Sequence, residues 1–135
     1  MLIKMEKISE EVSQLLALAA SANKLASELE NYLNQKNRTL YLYYQENCLV
    51  GCIGVDQLAG DQLEITHIAT AVSNRGQGIG RSMIDFVLVR HAPTVMFAET
   101  DAEALGFYQQ TGFESDSLGE KYPGVERFYC SYVPD

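Results

Sequence analysis

Apolar residues first recur at helical spacing. Ile8, Val12, Leu15, Ala19, Ala22, Ala26, Leu29 and Leu33 step by four and three and fall on one face. Ser9, followed by Glu10 and Glu11, supplies an N-cap with acids in the first turn. Ser21-Ala22-Asn23 offers a break and a second cap, so the pattern fits one long helix or two. Small alanines at the central steps suit packing against a sheet better than coiled-coil pairing. Met1 to Met5 reads as a short apolar edge strand.

The period then changes to two. Thr39 to Gln45 sets Leu40, Leu42 and Tyr44 against Tyr41 and Tyr43, a strand with aromatics on both faces. Glu46-Asn47 turns it into a strand from Cys48 to Leu58, where Gly51 and Gly54 mark a bulge or a close approach. Ala59-Gly60-Asp61 leads into Leu63 to Val72, rich in β-branched residues and read as a buried strand. These three strands form an antiparallel meander.

Helical spacing returns with Ile79, Met83, Phe86, Val87 and Arg90 and ends near His91 and Pro93. Thr94 to Ala98 is a short buried strand. Asp101 caps a further helix that packs through Ala104, Leu105, Phe107 and Tyr108 and stops at Gly112. Phe113 to Leu118 and Glu126 to Val133 close the chain as a hairpin joined by Gly119 to Gly124. Helices after the fourth and fifth strands imply crossovers, and therefore a mixed sheet covered on both sides.

Composition narrows the function classes. The 135 residues suffice for one domain, 1–135, and 47% are apolar. The longest apolar run, Leu15 to Ala20, is too short to span a bilayer, and Glu6, Glu10 and Glu11 occupy the region where a signal peptide is basic. A cytoplasmic location is expected. A net charge of −8 argues against nucleic acid or an anionic membrane as partner and favours a cationic substrate such as an amine. Cys48, Cys52 and Cys130 show no metal-ligand spacing, so no metal is expected. Cys48 and Cys52 fall on the same face of one strand, too far apart to bridge, and free buried thiols are the expectation.

The chemistry concentrates in Glu64 to Ser82, a strand, a glycine-rich turn and a helix start. Gly76, Gly78 and Gly80 alternate, so the backbone can adopt conformations closed to other residues and bring its N–H groups to a ligand. The positive end of the helix faces that turn, and with Arg75 and Arg81 it makes a diphosphate site. The dinucleotide fingerprint fails at Arg81, and the Gly-Lys-Ser/Thr ending of a P-loop is absent. The stretch instead reads Arg-x-x-Gly-x-Gly from Arg75 to Gly80, preceded by Ile68-Ala69-Thr70.

That stretch resembles the coenzyme A pyrophosphate loop of the GNAT superfamily of N-acetyltransferases. Asp101 to Phe113 resembles the family's later motif, Asn-x-x-Ala-x-x-Phe-Tyr followed by Gly-Phe, with Asp101 in place of Asn and Val72 where Pro is common upstream. The resemblance implies an α+β fold, a mixed and mostly antiparallel sheet of about six to seven strands flanked by about four helices. It implies acetyl-CoA as cofactor. Pantetheine would lie along Ile68, Ala69 and Thr70 as an added strand. The loop residues Arg75, Gly76, Gln77, Gly78, Ile79, Gly80 and Arg81, with Asp101 and Tyr108, would complete the cofactor contacts.

Glu64 matches the base of histone-acetylating members, with His67 as a rival base, and Tyr108 matches the acid that protonates the departing thiolate. Tyr32, Tyr41, Glu99 and Tyr122 border the acceptor site by the same comparison. The implied reaction is direct transfer of acetyl to a primary amine of a small molecule or peptide; a non-catalytic acyl-CoA-binding module on the same scaffold is the alternative. A monomer or a homodimer through exposed strand edges is compatible with the pattern.

Overall fold

The computed structural model describes residues 2–135. Strand β1 (Leu2–Lys4) is followed by helices α1 (Glu10–Leu16) and α2 (Leu25–Asn34), then strands β2 (Arg38–Gln45), β3 (Cys48–Leu58) and β4 (Gln62–Thr70). Helix α3 (Ile79–His91), strand β5 (Val95–Asp101), helix α4 (Ala102–Gln110) and strands β6 (Glu114–Tyr122) and β7 (Val125–Tyr132) complete the chain. The seven strands form one sheet in the order β1-β2-β3-β4-β5-β7-β6, antiparallel throughout except for β4 beside β5. This is the mixed α+β architecture expected. Among the described residues no helix is long and apolar enough to cross a membrane.

Two apolar clusters cover the two sheet faces. On one, Ile53, Val55, Leu63, Ile65 and Met96 pack under Met83, Ile84 and Val87 of α3 and Tyr108 of α4. On the other, Leu40, Leu42, Cys52 and Ala69 pack under Val12, Leu15 and Leu16 of α1 and Leu29 and Tyr32 of α2. The N-terminal apolar face is thus split between two helices. Ser9 caps the first, accepting from the Val12 amide at 3.2 Å.

Several boundaries moved from the expectation. The closing hairpin has long strands and a tight turn at Pro123-Gly124, because Gly119, at φ 76°, sits inside β6 as a bulge rather than beginning a loop. Strand β5 runs on to Asp101 because β7 pairs with it from Met96 to Asp101. β4 ends at Thr70, and Val72 lies in a 3₁₀ turn, Val72–Asn74. The register slip between Tyr43 and Tyr44 leaves Val50 without a register partner on β2 and breaks the alternation between Cys48 and Cys52. Cys48 is accordingly exposed while Cys52 is buried, so the expectation of buried thiols fails at Cys48.

Candidate active site

The parallel neighbours β4 and β5 stay paired for three positions only, Gln62 with Val95, Leu63 with Met96 and Glu64 with Phe97. Past Glu64 they separate: β5 is held by β7, β4 stays with β3, and a V opens between them. The edge of β4 from Ile65 to Thr70 keeps unpaired backbone groups on the β5 side among the described residues. An extended ligand can pair with such an edge as an added strand. Ile68, Ala69 and Thr70 lie along it. Ile68 packs against the α3-side core and Ala69 is buried on the α1/α2 side, so their backbones are what a ligand in the V would meet.

The mouth of the V is the turn into α3. Gly76 and Gly78 take φ of 80° and 77°, which L side chains rarely adopt, and no side chain caps the helix. The first amides of α3 therefore keep their hydrogen-bonding capacity for an anion. Gln77 is exposed beside them. Ile79 offers only its amide, because its side chain is buried against Gly51. Gly80 has a packing role: a Cβ there would lie 2.7 Å from the Phe107 ring, so glycine lets α4 approach α3. Arg75 Nε donates to the Thr70 carbonyl at 3.3 Å, and Arg81 Nη1 donates to the Gln110 carbonyl at 3.4 Å, which draws Arg81 toward the end of α4. Asp101 is taken up by capping: its Oδ1 accepts from the Ala104 amide at 3.0 Å.

Tyr108 is 4% exposed on the α3/α4 side, wedged edge-on between Phe107 and Phe113 at centroid distances of 5.3 and 5.2 Å. Its hydroxyl makes no hydrogen bond within the described residues. Burial, helped by Cys130, holds the phenol well above the usual tyrosine range, so it keeps its proton.

The opposite face of β4 carries the other polar groups, because Gly54 opposes His67 while Val55 opposes Ile65, leaving Thr66 as the extra residue of a bulge. Before the bulge Leu63 and Ile65 face α3; after it Ile68 does. Glu64, Thr66 and His67 consequently share the α1/α2 face. There Tyr32 Oη contacts Thr66 Oγ1 and lies 2.5 Å from His67 Nδ1, while His67 Nε2 sits 3.3 Å from Glu28 Oε2. A carboxylate only accepts, so Nε2 carries the imidazole proton, Nδ1 accepts from the Tyr32 hydroxyl, and that oxygen accepts from Thr66. Arg38 Nη2 donates to Glu28 at 3.1 Å, and its guanidinium lies 4.9 Å from the Tyr32 ring centroid. Burial pushes Tyr32 up to about 12 and lowers His67.

Glu64 makes no hydrogen bond within the described residues. Burial first, then Asp56, raises its carboxyl. Farther out on that face Phe97 and Tyr129 stack at 5.6 Å, and Glu99 pairs with Lys121 at 3.0 Å and Arg127 at 3.4 Å.

Two residues expected at the acceptor site, Tyr41 and Tyr122, lie away from this α1/α2-face cluster. Tyr41 faces α3, its hydroxyl 2.9 Å from His91 Nε2 at the helix end opposite the glycine turn, because its strand phase points it away from α2. Tyr122 stands 66% exposed at the tip of the closing hairpin. Tyr32 and Glu99 do lie on the α1/α2 face. Sequence reasoning passed over Glu28, Arg38 and Thr66. The available signal was Gly54 on β3, flagged as a close approach without the group that approaches.

The two histidines give the fold a pH dependence. Burial lowers both below their ordinary value of 6.5, so the unfolded chain binds more protons and stability falls as pH drops through 6.5. Glu64, raised, acts oppositely at lower pH, where the folded chain binds its proton first. Thermal melts at constant ionic strength should show a lower Tm at pH 5 than at pH 7, with a smaller drop in His67→Gln. An equal drop in that variant would remove His67 as a source.

The family described as Acetyltransferase (GNAT) domain matches residues 36–115. An uncharacterized N-acetyltransferase in the lysA 3′ region of Bacillus methanolicus is 34% identical over 88 residues, covering 62% of this chain and 73% of that protein. Two solved structures share the fold. A GNAT family acetyltransferase from Elizabethkingia anophelis with acetyl-CoA bound superposes with a TM-score of 0.79 at 21% identity, covering 99% of this chain and 97% of the other. The aminoglycoside 6′-N-acetyltransferase from Enterococcus faecium gives 0.80 at 16% identity, covering 100% and 99%. With the family match spanning more than half of its length, from β2 to the start of β6, this chain belongs to the GNAT family of acetyltransferases.

Proposed function

We propose that this chain is an acetyl-CoA-dependent N-acetyltransferase that passes the acetyl group directly to a primary amine of a small molecule or peptide. The observation that carries this reading is the opening of β4 from β5 in the stretch that leads into the uncapped N-terminus of α3. Ile68, Ala69 and Thr70 would hold the pantetheine arm through their backbones. The amides of Arg75 to Arg81 would hold the diphosphate, Arg75 and Arg81 adding charge once released from their present carbonyl partners. A backbone N–H near Thr70 would stabilise charge on the thioester oxygen, an effect on the order of a hundredfold or more.

The acceptor amine arrives as ammonium and must lose a proton before it can attack. Glu64 is the carboxylate for that step: it is unpaired, its pKa is raised, and it stands on the α1/α2 face where β4 and β5 part. Tyr108, on the other face, donates to the departing thiolate. The Glu64 carboxylate, with Phe97 of the Phe97–Tyr129 pair as its register partner on β5, suits a cationic acceptor.

The test is a coenzyme A release assay over polyamines, amino acids, aminoglycosides and peptide N-termini, run beside acetyl-CoA calorimetry. Thiol release with at least one amine is expected. Tight acetyl-CoA binding with no release from any amine would favour the non-catalytic acyl-CoA-binding module instead.

A further inference from the structure

Converting an ammonium into an amide removes two protons from nitrogen, and Glu64 accounts for one. After the neutral amine has bonded to the acyl carbon, the nitrogen is positively charged. It must shed another proton before the C–S bond breaks, or the amine rather than the thiolate departs. We infer that Thr66, Tyr32, His67 and Glu28 form a relay that takes this second proton, resting on the N-acetyltransferase reading above.

The geometry has the required parts in order. Thr66 Oγ1 meets Tyr32 Oη, Tyr32 Oη lies 2.5 Å from His67 Nδ1, and His67 Nε2 lies 3.3 Å from Glu28 Oε2. The bulge of β4 turns consecutive residues, Thr66 and His67, onto one face, in the part of β4 that has left β5. They lie between Glu64, where the ammonium is received, and Ile68 to Thr70, where the donor would run. Along β4 the relay therefore lies nearer than Glu64 to the residues that would carry the donor.

The step balances. The cationic nitrogen gives a proton to Thr66 Oγ1 as the threonine proton moves to Tyr32 Oη and the tyrosine proton moves to His67 Nδ1. Both hydroxyls end neutral, His67 ends as imidazolium, and Nε2–H stays on the Glu28 carboxylate. The C–S bond then breaks, its electron pair leaves with sulfur, and Tyr108 protonates the thiolate. Of the two protons lost by nitrogen, one returns to Tyr108 and one goes to solvent.

The surroundings suit the task. Glu28 and Tyr32 face His67 from α2, Arg38 faces it from β2, and Glu64 precedes it on its own strand. Arg38 fixes Glu28 at 3.1 Å and lies over Tyr32, so the carboxylate and phenol are both held in place. An apolar cluster of similar volume would serve packing alone at least as well.

The measurements are pH profiles of kcat and KM for the best amine from the release panel, with a ¹⁵N spectrum of the two imidazoles in which His91→Gln assigns His67. Tyr32→Phe and His67→Gln should lower kcat about a hundredfold, leave KM for acetyl-CoA unchanged and change the acidic limb of the kcat profile, leaving only the step that Glu64→Gln removes. Glu30→Gln, exposed on α2 and outside the relay, should leave the limb unchanged. The spectrum should show a bare Nδ1 and a protonated Nε2 on His67 at neutral pH. Variant rates that fall equally at every pH, as loss of a packing cluster would produce, overturn the relay, and so does a proton found on Nδ1. Silence of the unmodified protein toward every amine overturns the acetyltransferase reading along with it; the relay alone fails when that protein is active and the acidic limb is unchanged in both variants.

Discussion

Replacing Tyr108 by phenylalanine should lower acetyl-transfer turnover about a hundredfold or more while leaving acetyl-CoA affinity and thermal stability nearly unchanged. The expectation follows from what the hydroxyl does in the fold. It binds no group among the described residues, so its removal orphans no partner there, and the ring contacts to Phe107 and Phe113 survive in phenylalanine. A purely structural tyrosine would show the reverse pattern, a shifted melt with the rate preserved. The split is read by turnover at saturating donor and acceptor, acetyl-CoA calorimetry and a melting curve on the same preparation. Wild-type turnover in the variant would remove Tyr108 as the acid.

The prediction depends on a division of labour between the faces of the sheet. Tyr108 belongs to the cluster under α3 and α4, whereas Glu64, Thr66 and His67 face α1 and α2. A sheet with β4 and β5 paired along their whole length would keep these groups apart. Because pairing ends at Glu64 and Phe97, an acyl group in the gap can meet a nucleophile and bases from one side and an acid from the other. On the proposed reading, the unpaired stretch of β4 would thus supply both the binding edge and the passage between faces.

Much of this scaffold was legible in the chain because its signals are local. Ser9 and Asp101 cap helices as read, Gly76 and Gly78 take the left-handed conformations their positions require, and the bounds of β3 match the expected strand. The site was legible only where it follows a motif. Tyr41 and Tyr122 were assigned by the elements they sit on, and strand phase and hairpin length put them away from the α1/α2-face cluster. Gly80 looked like a ligand-binding glycine, yet its missing side chain makes room for Phe107, a residue 27 positions away. The Tyr32–His67–Glu28 cluster was invisible because it joins residues far apart in sequence and needs a bulge. A strict two-residue alternation would have sent His67 to the α3 side.

Gly54 is where that cluster can be broken from outside the chemistry. A Cβ built there runs into Tyr32 Oη and comes within 2.9 Å of Thr66 Oγ1. The obstacle is the end of a rigid ring of α2, 2% exposed and packed against the sheet. Gly54→Ala should therefore push Tyr32 off Thr66 and His67 and destabilise the protein by about 1–3 kcal/mol, seen as a lower denaturant midpoint at unchanged m-value. The mechanism is checked by a double-mutant cycle. Tyr32→Ala alone removes a buried ring and costs about 3–5 kcal/mol by analogy with other large aromatics, but it also removes the obstacle. Gly54→Ala made on that background should cost much less than in the wild type, with a coupling on the order of 1 kcal/mol or more. Strict additivity would mean that the alanine acts through the β3 backbone alone and that Tyr32 does not rest on Gly54.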